Sequence, residues 1–346
     1  MPFLFIGSTG DHAGKSLIAW AIARRLLDKG LRLGFLKPFG TRLMQVNDIW
    51  ADPDAFLFKK VLHIHEPLKI ICPYVISEKV VKQGGPKEIL EEIKSLAREL
   101  STGKDLLLVL GSKHIFFDDI PHSLPDISLI SEFNADMVLV HRYKKISTSF
   151  YSILSVNSLL KERVKSIIMN RVPHEQIGAI KDQITPVLAR KGVSDITLLP
   201  EDPILSLWSI GAIREILNGQ VIWGEEYLDR PVGGMTVGTA DLHGDLLLFK
   251  RVYNKIILLG PSTTSRAIAG ILLTGNREPA YRVLEAAKKS KIPLILVRED
   301  SFLAKERLEQ SAPTLTPADE DKVLHFTAMM DRDDSLNRLI QSLRLD

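Results

Sequence analysis

Residues 7–16 read Gly7-Ser8-Thr9-Gly10-Asp11-His12-Ala13-Gly14-Lys15-Ser16, and these residue types at this spacing can hold phosphate. A phosphate chain needs closely approaching backbone N–H donors, a helix N-terminus, one lysine charge and a hydroxyl for a divalent cation. Gly14-Lys15-Ser16, opening a helix after a glycine-containing turn, supplies each part. The strict pattern for such loops has glycine five residues before Gly14. Thr9 stands there instead, with glycines at 7 and 10. A chance Gly-Lys-Ser at a helix cap is the competing reading. The apolar run at residues 3–6, directly before the loop, favours phosphate.

Such a loop works only if a strand and a helix hold its two ends. Residues 3–6 read as a short buried strand stopping at Gly7. Residues 15–29 carry Leu17, Ile18, Ala21, Ile22, Leu26 and Leu27 at helical spacing, with Gly30 just beyond. Residues 31–36 form the next strand, closed by Lys37-Pro38. This βαβ unit predicts an α/β fold, a parallel sheet with helices on both faces. Further apolar runs at 105–110, 136–140, 164–169 and 196–199 extend the sheet, with helices at 86–100 and 147–161.

The pattern changes near Asn218-Gly219. A glycine-rich stretch, residues 228–238, leads into a second, smaller α/β pattern. It has apolar runs at 255–259 and 268–273, a helix at 279–290 and a strand at 292–297. The expected organisation is a nucleotide-binding domain over residues 1–217, a second domain over 218–322 and a helical tail over 323–346 that caps the structure or frays.

With 346 residues, 45 Lys+Arg and 42 Asp+Glu, the net charge is only +3. That balance argues against a dedicated nucleic-acid binder. A single cysteine, Cys72, excludes an intramolecular disulfide framework and suits a reducing compartment. The first residues have no basic region and too short an apolar stretch for a signal peptide. No apolar run approaches the ~20 residues of a membrane span. A cytoplasmic protein without a membrane partner is the expectation.

The loop, Gly34-Phe35-Leu36-Lys37-Pro38 and Ala51-Asp52-Pro53-Asp54-Ala55 together resemble the dethiobiotin synthetase group of P-loop proteins. Glu66-Pro67-Leu68, Cys72-Pro73-Tyr74-Val75-Ile76-Ser77, Met169-Asn170-Arg171-Val172-Pro173 and Pro200-Glu201-Asp202-Pro203 extend the likeness. With Asp229-Arg230-Pro231-Val232-Gly233-Gly234, the chain is similar to the amino-terminal half of long bacterial phosphate acetyltransferases. There, a domain named for the sequence DRTGG follows the synthetase-like one. The acetyltransferase catalytic domain is not in this sequence, so a stand-alone relative is expected.

The resemblance implies ATP as ligand and Mg²⁺ as cofactor. Gly14, Lys15 and Ser16, with the backbone of Gly10, Asp11, His12 and Ala13, would hold the phosphates. Ser16 and Asp54 would ligate Mg²⁺, Lys37 would contact the reacting groups, and Asn170 would meet the purine edge. Asp54 is equally readable as a helix N-terminal acid favoured by the macrodipole. The synthetase pattern ends the strand at 105–110 in a glutamate that completes the Mg²⁺ site. Here Leu110 stands in its place, followed by Gly111-Ser112-Lys113. A hard dication wants oxygen ligands, and leucine has none. Asp118 or Asp119 would substitute if their loop folds back. Binding with slow or absent hydrolysis is therefore expected.

Other residues leave alternatives open. His63 and His65 read as strand neighbours on one face; with His12, His114 and His122 they show no zinc-ligand spacing. His141-Arg142-Tyr143-Lys144-Lys145 is either a solvated basic loop or an attractor of anions after a strand. Residues 260–266 and 273–276 are polar turns or a second anion site. Glycines 233, 234 and 238 read as backbone requirements.

Two functions compete. One is a nucleotide-binding regulatory or sensor protein, expected to form a homo-oligomer and to take a second small-molecule effector at the DRTGG-like domain. The other is an ATP-dependent carboxylate-activating ligase of the dethiobiotin synthetase type. A scaffold whose loop no longer binds nucleotide is the third reading.

Overall fold

The computed structural model describes residues 2–41, 44–46, 49–75, 85–116, 124–193, 195–237, 255–260, 268–311 and 314–343. Asp118, Asp119, His122, Gly238 and the loop at 261–266 lie outside the described residues. The chain divides into two compact units. One comprises Met1–Leu43, Ile49–Asp202 and Val323–Asp346; the other comprises Met44–Asp48 and Pro203–Lys322.

The first unit is built on β1 (Phe3–Ser8), α1 (Lys15–Asp28), β2 (Leu33–Leu36), α2 (Pro53–Val61), α3 (Pro86–Ser101), β3 (Leu106–Leu110), α4 (Asp126–Glu132), β4 (Asp136–Arg142), α5 (Ile146–Leu160), β5 (Val164–Val172) and β6 (Ile196–Pro200). The strands form one parallel sheet in the order β6-β5-β4-β1-β3-β2. Leu106 to Leu110 are all buried, as is every residue of β1 after Phe3. Strands covered on both faces read as continuous apolar runs, which is why they were visible in the sequence. β1 is central, and its flanking strands are β3 and β4. Its carboxyl end therefore opens between them, where α/β sheets bind ligands.

Several strands run further than their apolar stretches. β1 continues through Ser8, β4 through His141 and Arg142, and β5 through Asn170 to Val172. His141 is thus a buried strand residue and not part of a solvated loop. His63 and His65 are likewise not strand neighbours. They follow α2 in a turn where His63 has φ 52°. Lys59 Nζ closes that turn by donating to the carbonyls of Ile64, His65 and Glu66 at 2.9, 3.0 and 2.5 Å.

The second unit contains α6 (Ile210–Ile216), β7 (Gln220–Trp223), β8 (Gly234–Val237), β9 (Lys255–Leu259), β10 (Ile268–Leu273), α7 (Tyr281–Ser290), β11 (Leu294–Leu296) and α8 (Ser301–Gln310). Among the described residues, five of its strands form one sheet ordered β7-β11-β10-β9-β8. In this sheet, β10 and β11 pair in parallel, whereas β7–β11, β8–β9 and β9–β10 are antiparallel. Ile256, Leu258, Leu272 and Ile295 join Ile210 and Ile213 of α6 in one core, and Ile257, Ile271 and Leu294 pack with Val283 and Ala287 of α7 in another.

The chain then returns to the first unit through α9 (Glu320–Asp331) and α10 (Ser335–Ser342). Leu336, Leu339, Ile340 and Leu343 recur at helical spacing and are all buried. Arg25 of α1 pairs with Asp331 at 2.5 Å and donates to Asn337 Oδ1 at 3.2 Å. Among the described residues, no helix is long and apolar enough to cross a membrane.

Leu336→Ala should lower unfolding stability by about 2–5 kcal/mol through cavity formation. Arg25→Ala, which breaks a partly exposed ion pair, should cost about 0–1 kcal/mol. Denaturant titration of both variants reads the difference; equal losses would show that the last helix contributes little apolar packing.

Candidate functional site

The loop between β1 and α1 sits at the carboxyl end of the central strand. Asp11 and His12 are exposed, Gly10, Gly14, Lys15 and Ser16 are half-buried, and Ala13 is buried. Gly14 caps α1 with φ 96°, a left-handed conformation that glycine adopts without penalty. Its lack of a side chain matters again, because a Cβ there would lie 2.5 Å from Asn170 Nδ2. Asn170 reaches the loop from β5, donating from Nδ2 to Ala13 O at 2.9 Å, while its Oδ1 accepts from Arg171 N at 2.9 Å. The residue expected to meet a purine edge therefore holds the loop backbone.

Lys15 Nζ donates to Ser8 Oγ at 2.7 Å. That hydroxyl lies 3.0 Å from Gly10 O and 2.9 Å from Lys113 O, so it ties the ammonium to both the loop and the segment after β3. Withdrawal from solvent, followed by repulsion from Lys37, brings the Lys15 ammonium down to about 8; Asp126, Asp54 and Asp11 oppose the shift.

Opposite the loop lies a group of buried charges. Lys37 leaves β2 and is 3% exposed, and Asp52 is 2% exposed. Lys37 Nζ is 2.5 Å from Asp54 Oδ2 and 3.5 Å from Asp52 Oδ1. Asp52 is the N-cap of α2, its Oδ1 accepting from the backbone N–H of Asp54 and Ala55 at 2.9 and 3.3 Å. Asp54 stands one residue inside the helix and is bound to chemistry on both oxygens: Ser16 Oγ donates to its Oδ1 at 2.6 Å. Burial alone would raise the Asp54 carboxyl, but the charge and hydrogen bond of Lys37 outweigh it and hold it below the usual range. For Asp52 burial wins and the carboxyl is raised. Burial also opposes the charge on Lys37, yet Asp52 and Asp54 together lift its ammonium above the ordinary lysine value.

The residues expected to hold Mg²⁺ fit a hard cation in donor type, since Ser16 and Asp54 bring two oxygens to one place. Leu110 is fully buried and offers none. Among the described residues, no group of three or more His, Cys, Asp or Glu side chains converges as a metal cluster would. Two further features, Asp52 and a Thr9–His141 pair, are not among the residues expected from the sequence. Thr9 Oγ1 lies 2.5 Å from His141 Nδ1, while His141 Nε2 is buried and has no hydrogen-bond partner among the described residues. Burial, then the charge of Lys144, holds that imidazole down to about 4, so it is neutral at pH 7. Asp52 was readable as a cap from Asp-Pro at a helix start; the Thr9–His141 pair, far apart in the chain, was not.

A parallel sheet whose central strand feeds a glycine loop and a lysine into the next helix defines the P-loop class. Residues 3–207 match the family model described as AAA domain, and residues 212–311 match that described as DRTGG domain. The first match covers more than half of the sequence, and the chain belongs to the AAA domain family. It is 24% identical to the phosphate acetyltransferase of Synechocystis sp., over 99% of this chain and 52% of that protein. It is 23% identical to the phosphate acetyltransferase of Deinococcus radiodurans, over 95% of this chain and 50% of that protein. The chain spans about half the length of the curated relatives it matches. Among solved structures it is similar to the septum site-determining protein MinD complexed with Mg-ADP from Pyrococcus horikoshii. That likeness has a TM-score of 0.35 and 18% identity, covering 59% of this chain and 83% of that one. The first unit is a P-loop domain related to phosphate acetyltransferases.

Lys15 supplies a pH test. Its folded pKa of about 8 lies below the ordinary lysine value of 10.5, so the unfolded chain binds the proton more tightly. Burying the charged form costs stability below pH 8, and the cost fades as pH rises toward 10.5. The stability of the natural chain relative to Lys15→Met should therefore climb across that window. A difference that stays flat in denaturation curves from pH 7 to 10.5 would place the Lys15 pKa at its ordinary value.

Proposed function

We infer that the first unit binds a nucleoside di- or triphosphate, ATP by family resemblance, and acts as a nucleotide-responsive regulatory element with slow turnover. The observation that carries this reading is the Ser16–Asp54–Lys37 chain facing the phosphate loop. It supports cation and phosphate binding, because hydroxyl, carboxylate and ammonium already stand beside Lys15. It also supports slow chemistry. Lys37 is hydrogen-bonded to one oxygen of Asp54, and Leu110 replaces an acid at the strand end.

In this reading the backbone of Gly10, Asp11, His12, Ala13 and Gly14 receives the phosphates, with Lys15 as their charge partner. Ser16 and Asp54 hold Mg²⁺, which when bound offsets phosphate charge. Asn170 fixes the loop through Ala13, and its other amide N–H would meet the purine edge. The second unit serves as a dimer interface or effector site in a cytoplasmic homo-oligomer. The ligase reading is favoured by the buried Lys37 beside the loop, where an activated carboxylate would need a cation.

Calorimetric titration with ATP and ADP, with and without Mg²⁺, and steady-state hydrolysis assays test both. Binding without turnover supports the regulatory reading; turnover stimulated by a small carboxylate supports the ligase; absence of binding overturns both. Lys15→Ala should abolish binding. Because phosphate restores the Lys15 proton, titration at pH 8 should be accompanied by uptake of about half a proton. Heats that do not vary with the buffer's ionisation enthalpy would remove Lys15 from the phosphate contact.

A further inference from the structure

β3 ends at Leu110 and continues as Gly111-Ser112-Lys113, so the strand itself brings no acid to the loop. A carboxylate arrives from elsewhere. Asp126, the first residue of α4, is 1% exposed, and its Oδ2 accepts from Ser112 N at 2.8 Å. A Cβ on Gly111 would stand 2.3 Å from the same oxygen, so the absent side chain is what admits the carboxylate. Ser112 Oγ is buried and, among the described residues, has no hydrogen-bond partner.

This strand end abuts the phosphate loop. Ile6 pairs with Leu110, and Gly111 N donates to Ile6 O at 2.9 Å, which keeps the segment after β3 against the end of β1. Ile115 N donates to Ser8 O at 2.8 Å, and the Ser8 hydroxyl lies between Lys113 O and the Lys15 ammonium. Asp126 also attracts Lys15 more strongly than Asp54 does.

We propose that Asp126 replaces the missing strand-end acid, forming with Ser16 and Asp54 a pocket for a divalent cation in which Asp126 and Ser112 Oγ hold the cation's water shell. This rests on the nucleotide reading above. A cation of the Mg²⁺ type keeps several waters and uses one or two protein carboxylates. An acid acting through those waters therefore suffices, and outer-shell partners of this kind are typically worth 10–100-fold in metal affinity. The unpaired Ser112 hydroxyl is explained at the same time, since a buried hydroxyl without a partner is costly unless a ligand or water meets it.

The test is Mn²⁺ binding by electron paramagnetic resonance, with and without ADP, on the full chain and on Asp126→Asn. The amide keeps an oxygen for Ser112 N while removing the charge. Expected is Mn²⁺ binding about 10-fold weaker or more in the variant. It should be accompanied by loss of most of the tightening that Mg²⁺ gives to ADP affinity. Ser112→Ala, which leaves Asp126 in place, should weaken Mn²⁺ by a smaller factor, and it serves as the readout should Asp126→Asn fail to fold. Unchanged Mn²⁺ affinity in either folded variant overturns the proposal. A natural chain that takes Mn²⁺ but not ADP would uphold the cation pocket while overturning the nucleotide reading. A chain that takes neither overturns both.

Discussion

A lysine ammonium taken out of water must be met by carboxylate, and carboxylate taken out of water must be met by a cation or N–H donors. Lys37, Asp52 and Asp54 satisfy that requirement for one another, and much of the site follows from it. Asp52 cannot leave, because it caps α2 and neutralises Lys37. Asp54 is held facing Ser16 because its other oxygen belongs to Lys37. The first turn of α1 is thereby tied to the start of α2 through side chains alone. Removing one partner of such a group leaves an unmatched charge, a loss of about 3–5 kcal/mol in comparable buried pairs.

The same arrangement sets a limit on chemistry. A metal ion can draw on Asp54 only to the extent that Lys37 yields its hold, and Lys37 can approach a substrate only by loosening from Asp54. Geometry that stabilises the empty site competes with geometry that would speed a reaction.

The first sheet was legible because its strands are buried on both sides. Leu106 to Leu110 is uninterrupted leucine and valine, and no other element type accounts for it so simply. What escaped were the ends of those strands. Ser8, His141 and Asn170 are polar residues at the carboxyl ends of their strands that hydrogen-bond to the glycine loop or its lysine, so the apolar signal fades there. The glycine loop and its lysine were visible because their spacing is local. Asp126 on Gly111, or Thr9 on His141, involve residues far apart in sequence, and nothing in local spacing announces such a meeting. In the second unit, β8 begins with Gly234 and lies in a glycine-rich stretch that reads as punctuation. Its pairing with β9, which makes it a strand, is a tertiary fact.

The first unit is discontinuous in sequence: its closing helices come only after residues 203–322, about 120 residues of the other unit. At translation speeds of ~5–20 residues per second, the nascent sheet waits roughly 6–24 s for the partners of α1. During that interval the apolar ground later covered by Leu336, Leu339 and Ile340 is open, and a chaperone or a neighbouring nascent chain has time to find it.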